Sequence, residues 1–154
     1  MSARDIVFFV ALMATAIALG GALAHAFELP NKINMPGNEY FIVQKAYRGW
    51  NQLAYVLLVE LLSIILLIGL YRHEPFVRWF AILALVCLVC AQVLFWVYTY
   101  PANVATQNWT VMPENWALLR SQWEYSHLGG ALFQLGAMAA LIAAALGRPA
   151  RPKS

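Results

Sequence analysis

The sequence predicts an all-α membrane protein: a four-helix transmembrane bundle with an ordered, partly helical extracytoplasmic cap. Three observations carry that prediction. Of the 154 residues, 62% are hydrophobic and 11% charged, against about 25% charged in soluble domains. Four apolar runs each reach the length that crosses about 30 Å of hydrocarbon at about 1.5 Å per helical residue, and in lipid the need to satisfy every backbone group internally selects helices for them. The two long connections are rich in Trp, Tyr, Asn and Gln, which suit a membrane–water interface. The expected organisation is one domain, residues 1–147, with spans at 6–27, 47–71, 76–100 and 126–147, and a basic cytoplasmic tail, 148–154.

Span one, IVFFVALMATAIALGGALAHAF, is longer than the apolar core of a signal peptide and reads as a retained helix. Ala14, Ala18, Gly21, Ala22 and His25 follow helical spacing and form a small-residue strip on which another helix can pack closely. His25 tops this strip, and Glu28 follows three residues on. In the connection to span two, MPGN is a turn signal, and Asn38 is expected to cap a helix running on into that span.

Span two contains LAYVLLVELLSIILLIGLY and a single deep ionisable group, Glu60, about 13 Å below Asn51. A lone intramembrane carboxyl faces the bundle interior and is a functional candidate by default. Glu60 is expected either as a protonated acid hydrogen-bonded to Gln92 or Gln134, or as a proton relay. The short RHEP connection makes spans two and three a hairpin. Span three places Gln92 about 12 Å below Tyr100, and Pro101 is expected to close it. Cys87 and Cys90, CLVC, read as small packing residues, because mid-membrane burial hides a thiol pair from soluble redox partners.

Pro113 is expected in the first turn of a helix that runs into span four. Along that helix Trp116, Arg120, Trp123, His127, Gly130 and Gln134 fall on one stripe, with Glu124 placed to pair with Arg120. First and last spans are often neighbours in a four-helix bundle, which brings His25 and His127 to one mouth. Depth counting sets Glu60, Gln92 and Gln134 in one layer below it.

Lys and Arg set the orientation. Arg4, Arg72, Arg78, Arg148, Arg151 and Lys153 lie on the side of the termini, and Lys32, Lys45, Arg48 and Arg120 on the other. This favours both termini in the cytoplasm. A net charge of +3 without a basic stripe excludes nucleic acid as the partner.

The candidate catalytic groups are His25, Glu60 and His127. Candidate substrate contacts are Arg48, Asn51, Gln92, Arg120, Trp123 and Gln134. Imidazole with carboxylate suits Fe, Cu or Zn, so His25, Glu28, Glu124 and His127 form a candidate metal set, and a haem or a transition metal is a candidate cofactor. Against this, no HExxH or paired CxxC spacing specifies a metal. The histidines also read as structural hydrogen-bonding groups, and Arg48, Arg120 and the tryptophans as interfacial anchors.

The stretches AHAFELPNK, YFIVQKAYRGW, YPANVATQNWT and LRSQWEYSH together resemble the anthrone-oxygenase-like family of bacterial membrane proteins. The resemblance covers roughly residues 8–145. It rests on a His ending the first span (His25), a P-x-N after the third (Pro101 and Asn103) and a W-x-x-x-H opening the fourth (Trp123 and His127). It implies a four-helix bundle in a bacterial inner membrane and adds Asn103 to the substrate contacts. In some relatives the implied activity is oxidation of polycyclic anthrones to anthraquinones. This chain departs from the family pattern at Gly130, where an Arg is expected. Two functions result. One is binding, with or without oxidation, of a hydrophobic small molecule admitted from the bilayer. The other is a non-catalytic accessory role, with the small-residue faces docking on a larger membrane complex.

Overall fold

A computed structural model describes residues 2–148; the rest of the expected tail, 149–154, lies outside the described residues. Helices make up the fold, with no strand among the described residues. Helix α1 spans Ala3–Lys32, α2 Gly37–Val43, α3 Leu53–Leu70, α4 Pro75–Leu94, α5 Tyr100–Ala105 and α6 Trp116–Leu146. Four helical stretches are long and apolar enough to cross a membrane: Ala3–Lys32, Trp50–Leu70, Pro75–Ala105 and Trp116–Leu146. Large apolar side chains such as Ile17, Leu58, Leu62, Val86, Val89 and Leu132 point outward, as the lipid-facing surface of a multi-pass membrane protein requires.

The spans form a closed ring in which α1 packs on α3 and α6, and α4 packs on α3 and α6. The first and last spans are therefore neighbours. Small residues make this possible. Ala11, Ala14 and Ala18 of α1, Ala81 and Ala84 of α4, and Ala137, Ala140 and Ala144 of α6 are all buried, so backbones approach closely where a hydrophobic driving force is absent. Cys87 and Cys90 are unpaired, and the Cys87 sulfur lies against Gly136 of α6, in keeping with a packing role.

Two packed cores result. One fills the half of the bundle near the termini, around Phe8, Ile64, Leu67, Tyr71 and Leu141. The other holds the cap together, with Tyr40, Phe41, Trp109, Leu119 and Trp123 at its centre. At the terminal face Ser2 caps α1 in a reciprocal box with Asp5. Arg4 pairs with Glu74 at 2.6 Å and Arg148 with Asp5 at 3.4 Å, closing that end.

The cap departs from expectation in three places. Pro101 does not end the third span. It lacks an N–H and cannot supply the α-helical bond to the carbonyl four residues earlier. The chain accommodates this with a π turn over Phe95–Thr99, closed by the Tyr100 N–H to the Phe95 carbonyl, and then continues as α5. Asn38 caps nothing: α2 begins at Gly37 with Pro36 at its N-cap, and is separated from α3 by 3-10 turns at Gln44–Tyr47 and Trp50–Gln52. A side chain at residue 37 would meet the Trp116 ring at 3.0 Å, so the chain packs closely against α6 there. Pro113 precedes α6, whose N-cap is Asn115.

Candidate functional site

Between the two cores lies a cavity of about 840 Å³. Its floor is polar. The Gln134 amide of α6 donates to a Glu60 carboxyl oxygen at 2.5 Å, and Gln92 of α4 lines the same space. Glu60 itself is fully buried below Gln134, and its second carboxyl oxygen has no hydrogen-bond partner. Thr15 of α1 sits close to the same carboxyl without reaching hydrogen-bond geometry. Glu60 and Gln134 thus meet at one level, as depth counting predicts, and Gln92 lines the same cavity.

The wall toward the cap is aromatic. His25 and His127 stack with ring centroids 4.1 Å apart and planes 27° from parallel. Tyr47 and Trp50 pack on His25 at 4.5 and 5.2 Å, and Trp123 packs on His127 at 4.1 Å. Asn103 orders this wall: its side-chain oxygen accepts from the indole N–H of Trp109 at 3.1 Å and of Trp123 at 2.9 Å. Thr99 in the π turn and Ser126 in α6 share a hydrogen bond of 2.7 Å, tying the third span to the fourth at the same height.

Trp109 reaches its place through an unusual backbone. Gln107, Asn108 and Trp109 all have left-handed φ values, 50°, 55° and 62°. Each costs a non-glycine residue on the order of 1–2 kcal/mol. The Asn108 N–H bonds the Asn103 carbonyl at 2.7 Å and the Trp109 N–H the Thr106 hydroxyl at 3.1 Å, which offset that cost. Gln107, Asn108 and Trp109 all line the cavity.

Of the residues read from sequence, His25, Arg48, Asn51, Gln92, Asn103, Trp123, His127 and Gln134 line this one cavity. Arg120 does not. Its guanidinium donates to the Met35 carbonyl at 2.6 Å and lies over the Trp116 ring, fastening the first connection to α6. It does not pair with Glu124, which turns to a partner absent from the sequence reading, Lys32. The ammonium of Lys32, 2% exposed, lies 3.1 Å from Glu124, 3.3 Å from Glu28 and 2.8 Å from the Tyr47 hydroxyl. It also faces the rings of Tyr47 and Trp123. Tyr47 donates to Glu28, and Tyr40 donates to Glu124 at 2.9 Å. Burial first, then the Glu124 carboxylate, raise the Tyr40 hydroxyl well above a phenol's ordinary value, so it remains a donor.

This arrangement corrects the metal set. Glu28 and Glu124 close on Lys32, not on the histidines, and no group of three His, Cys, Asp or Glu residues is placed to hold a metal among the described residues. Lone pairs of the two imidazoles lie in their ring planes. With the rings stacked, those planes do not converge within bonding distance, and neither can the pair take opposite faces of one haem. The two imidazoles are therefore not placed to chelate one metal ion together or to ligate one haem from both faces.

The sequence signals for Lys32 were slight: Glu28 four residues earlier gives helical pairing, but its burial depends on Glu124 and Tyr47 arriving from other elements. Comparison with protein-family models, with curated proteins and with solved structures finds no match for this chain.

Proposed function

We propose that this membrane protein binds a hydrophobic small molecule in the cavity between its two cores and admits it sideways from the bilayer. The observation that carries this is the cavity's exposed lining: Ala54 of α3 and Trp96 of the π turn both line the cavity and both are exposed, Trp96 by 60%. Pockets of about 300–1,000 Å³ with mostly apolar walls and a few fixed polar groups are the ordinary form of a small-molecule site. His25, His127, Asn103 and Gln134 are the groups that would orient the ligand. Oxidation of that ligand, which the family resemblance implies, would need an oxidant that the cavity lining does not itself supply, and the proposal is limited to binding. The Lys and Arg distribution and the resemblance support a bacterial inner membrane with both termini cytoplasmic, which puts the cavity near the outer surface.

Native mass spectrometry of the protein carried in nanodiscs tests this. The expected result is a stoichiometric adduct below phospholipid mass. A side chain at residue 130 meets nothing within 4 Å and projects into the cavity, so Gly130→Phe should remove the adduct while leaving the unfolding temperature unchanged. An adduct that persists in Gly130→Phe, or a wild-type protein with none, would overturn the proposal.

A further inference from the structure

Two polar side chains of the cavity wall are buried without a partner in the protein. Gln44 is 4% exposed, and neither its amide nitrogen nor its carbonyl oxygen reaches hydrogen-bond geometry with a protein group, although the Tyr40 hydroxyl lies close to it; Nδ1 of His25 also lacks a partner. Buried polar groups left unmet are costly and point to a ligand or water that meets them. The charge of the wall is one-sided. Arg48 is the one side chain with a full charge that lines the cavity among the described residues, and no carboxylate lines it. Glu28 and Glu124 are held by Lys32 behind the rings of Tyr47 and Trp123.

Arg48 also stands at a helix start. Gly49, with φ 87°, turns the chain into the span Trp50–Leu70, and Trp50 and Asn51 at its first positions line the cavity. The unpaired N–H groups and dipole of such a terminus favour negative charge. Below them Leu57 and Phe95 give the wall an apolar stretch beside the exposed Ala54 and Trp96, above the polar floor of Gln92 and Gln134. The charged end of the cavity thus sits where a span meets the cap, and the apolar stretch lies deeper, along the spans.

We propose that the ligand is a long-chain carboxylic acid, bound with its carboxylate at Arg48, Gln44 and the start of the second span and its chain between α3 and the π turn. This rests on the binding function proposed above and names its ligand class. Such a molecule already floats in the bilayer with its head at the interface, so it can slide in without carrying a charge through hydrocarbon. A single-chain acid also suits about 840 Å³, within the ordinary range of small-molecule sites.

Quenching of the cavity tryptophans Trp50, Trp96, Trp109 and Trp123 by bromine-labelled stearate, in nanodiscs of phosphatidylcholine, provides the test. Gly130→Phe gives the background from probe dissolved in the lipid. Saturable quenching above that background is expected, reversed by unlabelled stearate and not by methyl stearate or phosphatidylglycerol. Arg48 is exposed and makes no ion pair in the described structure, so Arg48→Gln should fold normally. It should weaken stearate about tenfold, and Arg48→Lys should keep most of the affinity. Methyl stearate competing as well as stearate, or Arg48→Gln binding unchanged, would overturn the acid and leave the binding function standing. Phosphatidylglycerol competing as well as stearate would overturn the free acid in favour of a lipid headgroup. Absence of saturable quenching would overturn the proposal outright, and the native adduct would then decide the binding function separately.

Discussion

Lys32 shows how much one side chain can organise. It buries an ammonium between two carboxylates, a phenol and two aromatic faces, and so joins the end of α1 to α6 and to the 3-10 turn at Gln44–Tyr47. A buried pair contributes little net stability against an apolar replacement, but removing one member leaves a buried charge uncompensated. Lys32→Met is therefore expected to cost about 3 kcal/mol in unfolding measured in detergent, through the fully enclosed Glu124. The double variant Lys32→Met/Glu124→Leu should regain most of that loss. Equal, additive losses would show that Lys32 and Glu124 do not act as a pair. His25 and His127 were legible as neighbours, because both stand on small-residue or aromatic stripes at the same height. Their stacking was not, since it depends on the tilt between α1 and α6.

Among the elements, the third span is the one whose irregularity shapes the site. Pro101 forces the π turn, and the π turn carries Trp96 to the exposed lining of the cavity and Thr99 to Ser126. Directly opposite, α6 passes close to α4: a side chain at residue 129 would come within 2.8 Å of a Leu94 methyl. Gly129→Ala could be absorbed by a turn of the flexible Leu94 side chain, but Gly129→Val adds bulk where α6 meets α4. It is expected to destabilise the protein by about 1–3 kcal/mol in thermal unfolding. Gly20→Ala, at a position with nothing within 4 Å, should be neutral. Equal unfolding temperatures for the two variants would show that the α4–α6 approach is not tight.

The molecule as a whole is two packed regions with a gap between them. The core near the termini ends at the polar level of Glu60 and Gln134, and the cap core begins at Trp123. The first and last spans meet because the ring closes through α1 and α6. Four spans put both termini on one side, and the Lys and Arg distribution supports the proposal that this side is cytoplasmic. A green fluorescent protein fused after residue 154 in a bacterial host should fluoresce, and alkaline phosphatase fused at the same point should be inactive. The reverse pattern would invert the orientation and move the cavity to the cytoplasmic face.

From the order of residues alone one could read four spans, their hairpin, the neighbouring first and last helices and the meeting of Glu60 with Gln134. These follow from local physics: apolar length against bilayer thickness, and helical periodicity. The partners of charged and polar groups did not follow. Glu124 had Arg120 one turn away, yet Lys32 took it, because Lys32 arrives sealed beneath Tyr47 and Trp123 while Arg120 finds the Met35 carbonyl. The left-handed run at Gln107–Trp109 left no mark in composition, because its strain is offset by hydrogen bonds to Asn103 and Thr106 that exist only in the folded cap. Periodicity decides which face of a helix turns inward; which groups then meet there depends on distances between elements far apart in the chain.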